Sequence, residues 1–113
     1  MPSLRVDDRV VVPRLEEART FLSRLVGLGF RTSFEPGEGL LLVPCNSIHT
    51  FWPRMALDVL FLSADFRILE ILHGLPPGRV SPLVRSARQV LELPAGQARV
   101  EGLEIGMVLR REP

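Results

Sequence analysis

Lysine is missing from this chain: all fourteen basic residues are arginine, set against thirteen acids, for a formal net charge of +1. So balanced a chain builds no strong basic field, which argues against nucleic acid or an anionic membrane surface as its partner. Arginine-only usage with a single asparagine, Asn46, reads as a genomic habit rather than a functional signal. One cysteine, Cys45, excludes an internal disulfide framework and suits a reducing compartment. Hydrophobic runs are short. Leu40 to Val43 and Ala56 to Leu62 fall far below the roughly 20 residues of a membrane helix, and Asp58 interrupts the second. Met1 to Asp8 lacks the apolar run of a signal peptide, so a cytoplasmic location is expected. Neither G-x-x-x-x-G-K nor G-x-G-x-x-G occurs, which removes the common phosphate-cradling loops.

What is present is ordinary globular composition. With 113 residues, 46% hydrophobic and 24% charged, the chain suits one domain spanning 1–113 and one real core. Val10-Val11-Val12, stopped by Pro13, marks a strand over Leu4 to Val12. Ala18, Phe21, Leu22, Leu25 and Val26 recur at helical spacing, and the acids Glu16 and Glu17 suit a helix start, so a helix is predicted over Glu16 to Leu28. Glu35 to Gly39 reads as a turn, and Leu40 to Val43 as a buried strand ended by Pro44. Leu57 to Leu62 and Ile68 to Leu72 form a hairpin around Ser63 to Arg67. Gln89 to Leu93 returns to strand composition, Ala95 to Leu103 holds a second short helix, and Met107 to Arg110 a last strand. The expected class is α+β: a small, mostly β domain, an antiparallel sheet or partly closed barrel, with one N-terminal helix.

Most of the distinctive polar chemistry lies between Cys45 and Asp58. Cys45 and His49 suggest a thiolate–imidazole nucleophile, with Asp58 to orient the ring. An extended strand would hold the two about 13 Å apart, so the pair requires a turn, and a small buried hydrophobe is the blander reading of the thiol. With Cys45, His49 and His73 as the chain's whole Cys and His content, no structural metal site is expected. Asp58 opens an apolar run and needs a partner, for which Arg54 is nearest in sequence. Trp52, beside Pro53 and Arg54, offers a stacking wall for a ligand or, equally, a core aromatic. Arg79, Arg85, Arg88 and His73 share an acid-free stretch between Glu70 and Glu92, a weak anion-binding signal that reads first as solvated surface.

The chain resembles the family known as domain of unknown function 192 over about residues 18–110. The resemblance is carried by Arg24-Leu25-Val26-Gly27-Leu28, Gly37-Glu38-Gly39-Leu40-Leu41-Leu42, Pro44-Cys45-Asn46-Ser47-Ile48-His49-Thr50-Phe51-Trp52, Leu57-Asp58-Val59-Leu60-Phe61-Leu62 and Val90-Leu91-Glu92-Leu93-Pro94-Ala95-Gly96. It implies a compact α+β, mostly β fold and brings no assigned activity. Three positions depart from the family pattern. Pro53 stands where Met is usual, Phe66 where a turn Gly is common, and Met107 where an acid often follows Gly106. Phe66 in place of Gly predicts a hairpin turn that avoids positive φ.

Two functional readings follow. The leading one is a binding module whose Asn46, His49, Trp52, Arg54 and Asp58 line a groove for a small molecule or peptide, without cofactor or metal. The alternative is a small hydrolase-like or thiol enzyme using Cys45, His49 and Asp58.

Overall fold

The computed structural model describes residues 1–20, 33–47 and 55–113. Strands β1 (Ser3–Val6) and β2 (Arg9–Val12) form a hairpin, and β3 is Arg14–Ala18. Then come β4 (Glu38–Leu42), β5 (Leu57–Leu62), β6 (Ile68–Leu75), β7 (Gln89–Pro94), helix α1 (Gln97–Val100) and β8 (Arg110–Glu112). They make a three-stranded sheet of order β2-β1-β8 and a five-stranded sheet of order β3-β4-β7-β5-β6.

β5 and β7 sit inside the larger sheet, and every residue of Leu57 to Leu62 and of Gln89 to Leu93 is buried. Near-continuous apolar strands of this kind are the mark of a sheet covered on both faces. The side chains separate by the two-residue period of a strand. Leu41, Leu60, Leu62, Leu91 and Leu93 join Leu4, Val11 and Val12 of the smaller sheet in one core. Leu40, Leu42, Leu57, Val59, Phe61 and Val90 form a second cluster with the partly buried Phe34, Cys45 and Met55. Arg111 on β8 ties the sheets together by donating to Glu17 on β3, with Nε 2.9 Å from the carboxylate. Burial alone would raise the Glu17 carboxyl, but hydrogen bonds from Arg111 and Arg19 outweigh it and hold the group below its ordinary range.

The α+β expectation is corrected here. Glu16, Glu17 and Ala18, the intended start of the N-terminal helix, are strand residues, paired in parallel with Leu40, Leu41 and Leu42. Pairing with an apolar strand, which sends Leu15 into one core and Ala18 into the other, overrides the helical spacing. Residues 21–28 of the predicted helix lie outside the described residues. Among the described residues the chain is mostly β with one helix, the short one expected within 95–103. The sheet is not antiparallel throughout, because β3 and β4 run parallel, and both strand orders are linear, so neither sheet closes into a barrel.

Smaller corrections have local causes. The single strand expected over Leu4 to Val12 is folded in two at Asp7-Asp8, with Asp7 at φ 54, a conformation that a short polar side chain tolerates. The hairpin of β5 and β6 does use a positive φ, for Phe66 itself sits at 66°. Its amide donates to the Ser63 carbonyl at 3.0 Å, and its ring packs against the first core. Gly39, read as part of a turn, lies inside β4, where a Cβ would come within 2.8 Å of Val12 Cγ1.

Candidate functional site

Asp58 is fully buried in β5 opposite Leu93. Its two oxygens each accept a backbone amide at 2.9 Å, Oδ1 from Gly74 at the end of β6 and Oδ2 from Ala98 in α1. Helix α1 begins at Gly96, which has no side chain to cap it, so Asp58 supplies from another strand the acceptor that an N-cap side chain normally provides. Arg54, the partner expected from sequence, lies outside the described residues.

Glu92 is the opposite case on the neighbouring strand. It sits in β7 across from Leu40 on one side and Val59 on the other, so it faces the second cluster while Asp58 faces the first. Only 3% of it is exposed. Its Oε1 has no hydrogen-bond partner, the one such buried side-chain atom among the described residues. Burial pushes its carboxyl up to about 8, because a charge without a partner is disfavoured away from water. Sequence reasoning assigned Glu92 no role. The available signal was a lone acid within Val90-Leu91-Glu92-Leu93, a run otherwise composed for burial.

An open cleft of about 220 Å³ lies where β4 leaves the sheet and β7 enters it, lined by Pro44, Cys45, Asn46, Ala87 and Arg88. Two backbone bonds hold its walls together, Cys45 N–H to the Arg88 carbonyl and Val84 N–H to the Asn46 carbonyl, each at 2.9 Å. The Cys45 thiol donates to the Ser47 carbonyl at 2.9 Å. Arg88 Nη1 donates to the carbonyls of Arg85 and Ala87, each at 3.1 Å. Its Nε and Nη2, and the side-chain amide of Asn46, meet no partner among the described residues. Of the predicted site residues, the structure thus places Cys45 and Asn46 together in one cleft and Asp58 on the far face of the sheet. His49, Trp52 and Arg54 lie outside the described residues. Arg88 joins the cleft from the stretch that sequence reasoning treated as solvated surface. Among the described residues, no three His, Cys, Asp or Glu side chains converge as metal ligands.

The family model of the uncharacterised proteins grouped as domain of unknown function 192 matches residues 3–111. The chain belongs to this family. The match to the DUF192 model takes in every described strand except the last residue of β8. A UPF0127 protein of Pyrococcus abyssi is 28% identical over 99 residues, covering 82% of this chain and 81% of the relative. The crystal structure of a protein of unknown function from Novosphingobium aromaticivorans superposes with a TM-score of 0.84 at 25% identity, over 96% of this chain and 82% of that one. A candidate transcription regulator from Sinorhizobium meliloti gives 0.79 at 27% identity, over 86% and 80%. The DUF192 assignment therefore comes with relatives of similar length, whose names state no activity in common.

Proposed function

We propose that this DUF192 protein is a binding module for a small molecule or peptide, which it holds by an anionic group in the Asn46 and Arg88 cleft. The observation that carries the reading is the pair of polar residues lining one cleft from its two sides, with donors that no described residue occupies: Nε and Nη2 of Arg88 and the amide of Asn46. A guanidinium edge suits a carboxylate or phosphate in a two-point contact, and the neighbouring amide adds a third donor. The scaffold is rigid where it matters, since both walls are stitched to the sheet by backbone hydrogen bonds. Cys45 contributes to the wall, and its S–H directed at the Ser47 carbonyl favours an ordinary thiol over the nucleophile of the alternative reading.

A role in transcription is named for the Sinorhizobium relative. For this chain a small anionic ligand is the better fit. Its formal charge is +1, and exposed arginines such as Arg9 and Arg110 are paired with Glu101 and Glu112, each at 2.9 Å. His49, Trp52 and Arg54 stay within the proposal as further ligand contacts, but its weight rests on Asn46 and Arg88.

A thermal-shift screen of organic acids, phosphates and peptides with free C-termini tests the reading. Compounds that stabilise the native chain are expected to lose their effect on Arg88→Gln. Hits that stabilise that variant equally would place the binding elsewhere.

A further inference from the structure

Arg88 is the one charged residue among those lining the cleft between β4 and β7. Its Nη1 is committed to the carbonyls of Arg85 and Ala87, each at 3.1 Å. The donors left to it among the described residues are Nε–H and Nη2–H, which project in parallel from one edge of the planar group. Such a fork matches the two oxygens of a carboxylate. The backbone of the cleft adds little to it. Pro44 has no N–H, and those of Cys45, Ala87 and Arg88 go to the carbonyls of Arg88, Val84 and Leu62 at 2.9, 3.0 and 2.9 Å. Of the five lining residues, only Asn46 keeps a backbone N–H without a partner among the described residues. Sites that hold a phosphate draw on several open amides, gathered in a nest or at a helix N-terminus. Here the one described helix, α1, follows the end of β7 opposite the cleft. The rest of the wall is apolar, from the Pro44 ring and the Ala87 methyl.

We infer that the cleft selects a carboxylate over a phosphate, and that its ligand is a small organic acid whose short hydrocarbon stem lies against Pro44 and Ala87. The inference rests on the anion-binding reading and deepens it by naming the headgroup. A carboxylate brings one negative charge and two oxygens, which a single guanidinium edge satisfies, and the Asn46 side-chain amide can donate to a remaining lone pair. A phosphate monoester brings a charge of about −1.5 to −2 at pH 7 and three strong acceptor oxygens. One arginine offsets only part of that charge, and backbone amides already bonded elsewhere supply no donors for the rest. The phosphate would give up hydration that the cleft does not replace. The cleft holds about 220 Å³, below the roughly 300–1,000 Å³ of sites for drug-sized ligands, which suits an acid of a few carbons.

The test titrates the full native chain at pH 7 with butyrate and n-propyl phosphate, which share a three-carbon stem and differ in headgroup, and with acetate, which lacks most of the stem. Backbone-amide NMR shifts at Cys45, Asn46, Ala87 and Arg88 read the binding. Butyrate should bind saturably there, at least tenfold more tightly than n-propyl phosphate and at least threefold more tightly than acetate. Arg88→Lys keeps the positive charge but loses the fork, so it should shrink the preference for butyrate over n-propyl phosphate to less than threefold. If n-propyl phosphate or acetate binds the native chain as tightly as butyrate, the inference is overturned while an anion site at Arg88 stands. A preference unchanged in Arg88→Lys also overturns it, because the fork would then not set the choice of headgroup. No shift at these residues with any of the three probes overturns it together with the anion-binding reading. The native-chain comparison decides the headgroup even if the variant does not fold.

Discussion

Asp58 Oδ2 accepts the amide of Ala98 at 2.9 Å across forty residues of sequence, and through that bond a carboxylate on β5 caps a helix that begins on a glycine. The same side chain holds the Gly74 amide at the end of β6, so three elements meet on one buried group. Asp58 is therefore a structural centre of the fold whatever else it does.

Removing that group should be among the most damaging single changes. Asp58→Ala leaves two buried amides without an acceptor and is expected to destabilise the protein by about 3 kcal/mol. Asp58→Asn, which keeps one acceptor but turns an NH2 toward the other amide, should lose about 2 kcal/mol. Denaturant unfolding at pH 7 measures both. A loss below about 0.5 kcal/mol for Asp58→Ala would mean that the two bonds do not hold in solution.

Glu92 predicts an unusual pH profile. Its carboxyl ionises at about 8 in the folded chain against 4.5 in its unperturbed state, so between these values the folded state binds more protons than the unfolded one. Stability contributed by this group is complete below pH 4.5 and should decline as pH rises toward 8, by about 1.4 kcal/mol per pH unit inside the window. In Glu92→Gln the slope over pH 5 to 8 should flatten. Urea unfolding at intervals across that range reads it, and equal slopes in the two proteins would show that the carboxyl ionises normally.

Gly39 marks a close approach of two strands. A methyl group there would lie 2.8 Å from Val12 Cγ1 and 3.2 Å from Leu93 Cδ2, so Gly39→Ala should cost about 1–3 kcal/mol through overpacking. Gly39→Ala combined with Val12→Ala should recover part of that loss, because the methyl then has room. Thermal unfolding of the single and double variants checks the contact. A neutral Gly39→Ala would indicate that the sheets move apart easily.

Several strands were legible in the sequence. Leu40 to Val43, the hairpin partners Leu57 to Leu62 and Ile68 to Leu72, and Gln89 to Leu93 all lie where apolar, strand-composed runs bounded by turn residues placed them. β3 was not, because Ala18 with Phe21, Leu22 and Leu25 also satisfies a helical spacing, and only pairing with β4 decides for strand at Glu16 to Ala18. The first hairpin was hidden because Asp7-Asp8 is a weaker turn signal than a glycine-containing pair. The expected groove joined Asn46 to His49, Trp52, Arg54 and Asp58, whereas the described cleft joins Cys45 and Asn46 to Arg88, whose carbonyl accepts the Cys45 amide, a contact that no local pattern encodes. Likewise the sequence places acids in two apolar strands, but only the register tells that Asp58 and Glu92 face opposite sides of the sheet.

Phe66 offers a direct test of backbone strain. At φ 66 a side chain crowds the backbone by about 1–2 kcal/mol relative to glycine. Phe66→Gly and Phe66→Ala lose the same ring contacts with the core, so the glycine variant should be the more stable of the two by about 1 kcal/mol. Urea midpoints compare them, and an alanine variant as stable as the glycine one would contradict the turn geometry.

The binding account meets its most direct test in a backbone-amide NMR titration of the native chain and of Arg88→Gln with succinate, inorganic phosphate and a hexapeptide bearing a free C-terminal carboxylate. At least one of these anions should produce saturable shifts centred on Cys45, Asn46, Ala87 and Arg88, and its affinity should fall at least tenfold in Arg88→Gln, as expected for a lost charge-assisted contact of about 1.5–3 kcal/mol. Shifts absent from these residues with all three probes, or unchanged affinity in the variant, would contradict the account.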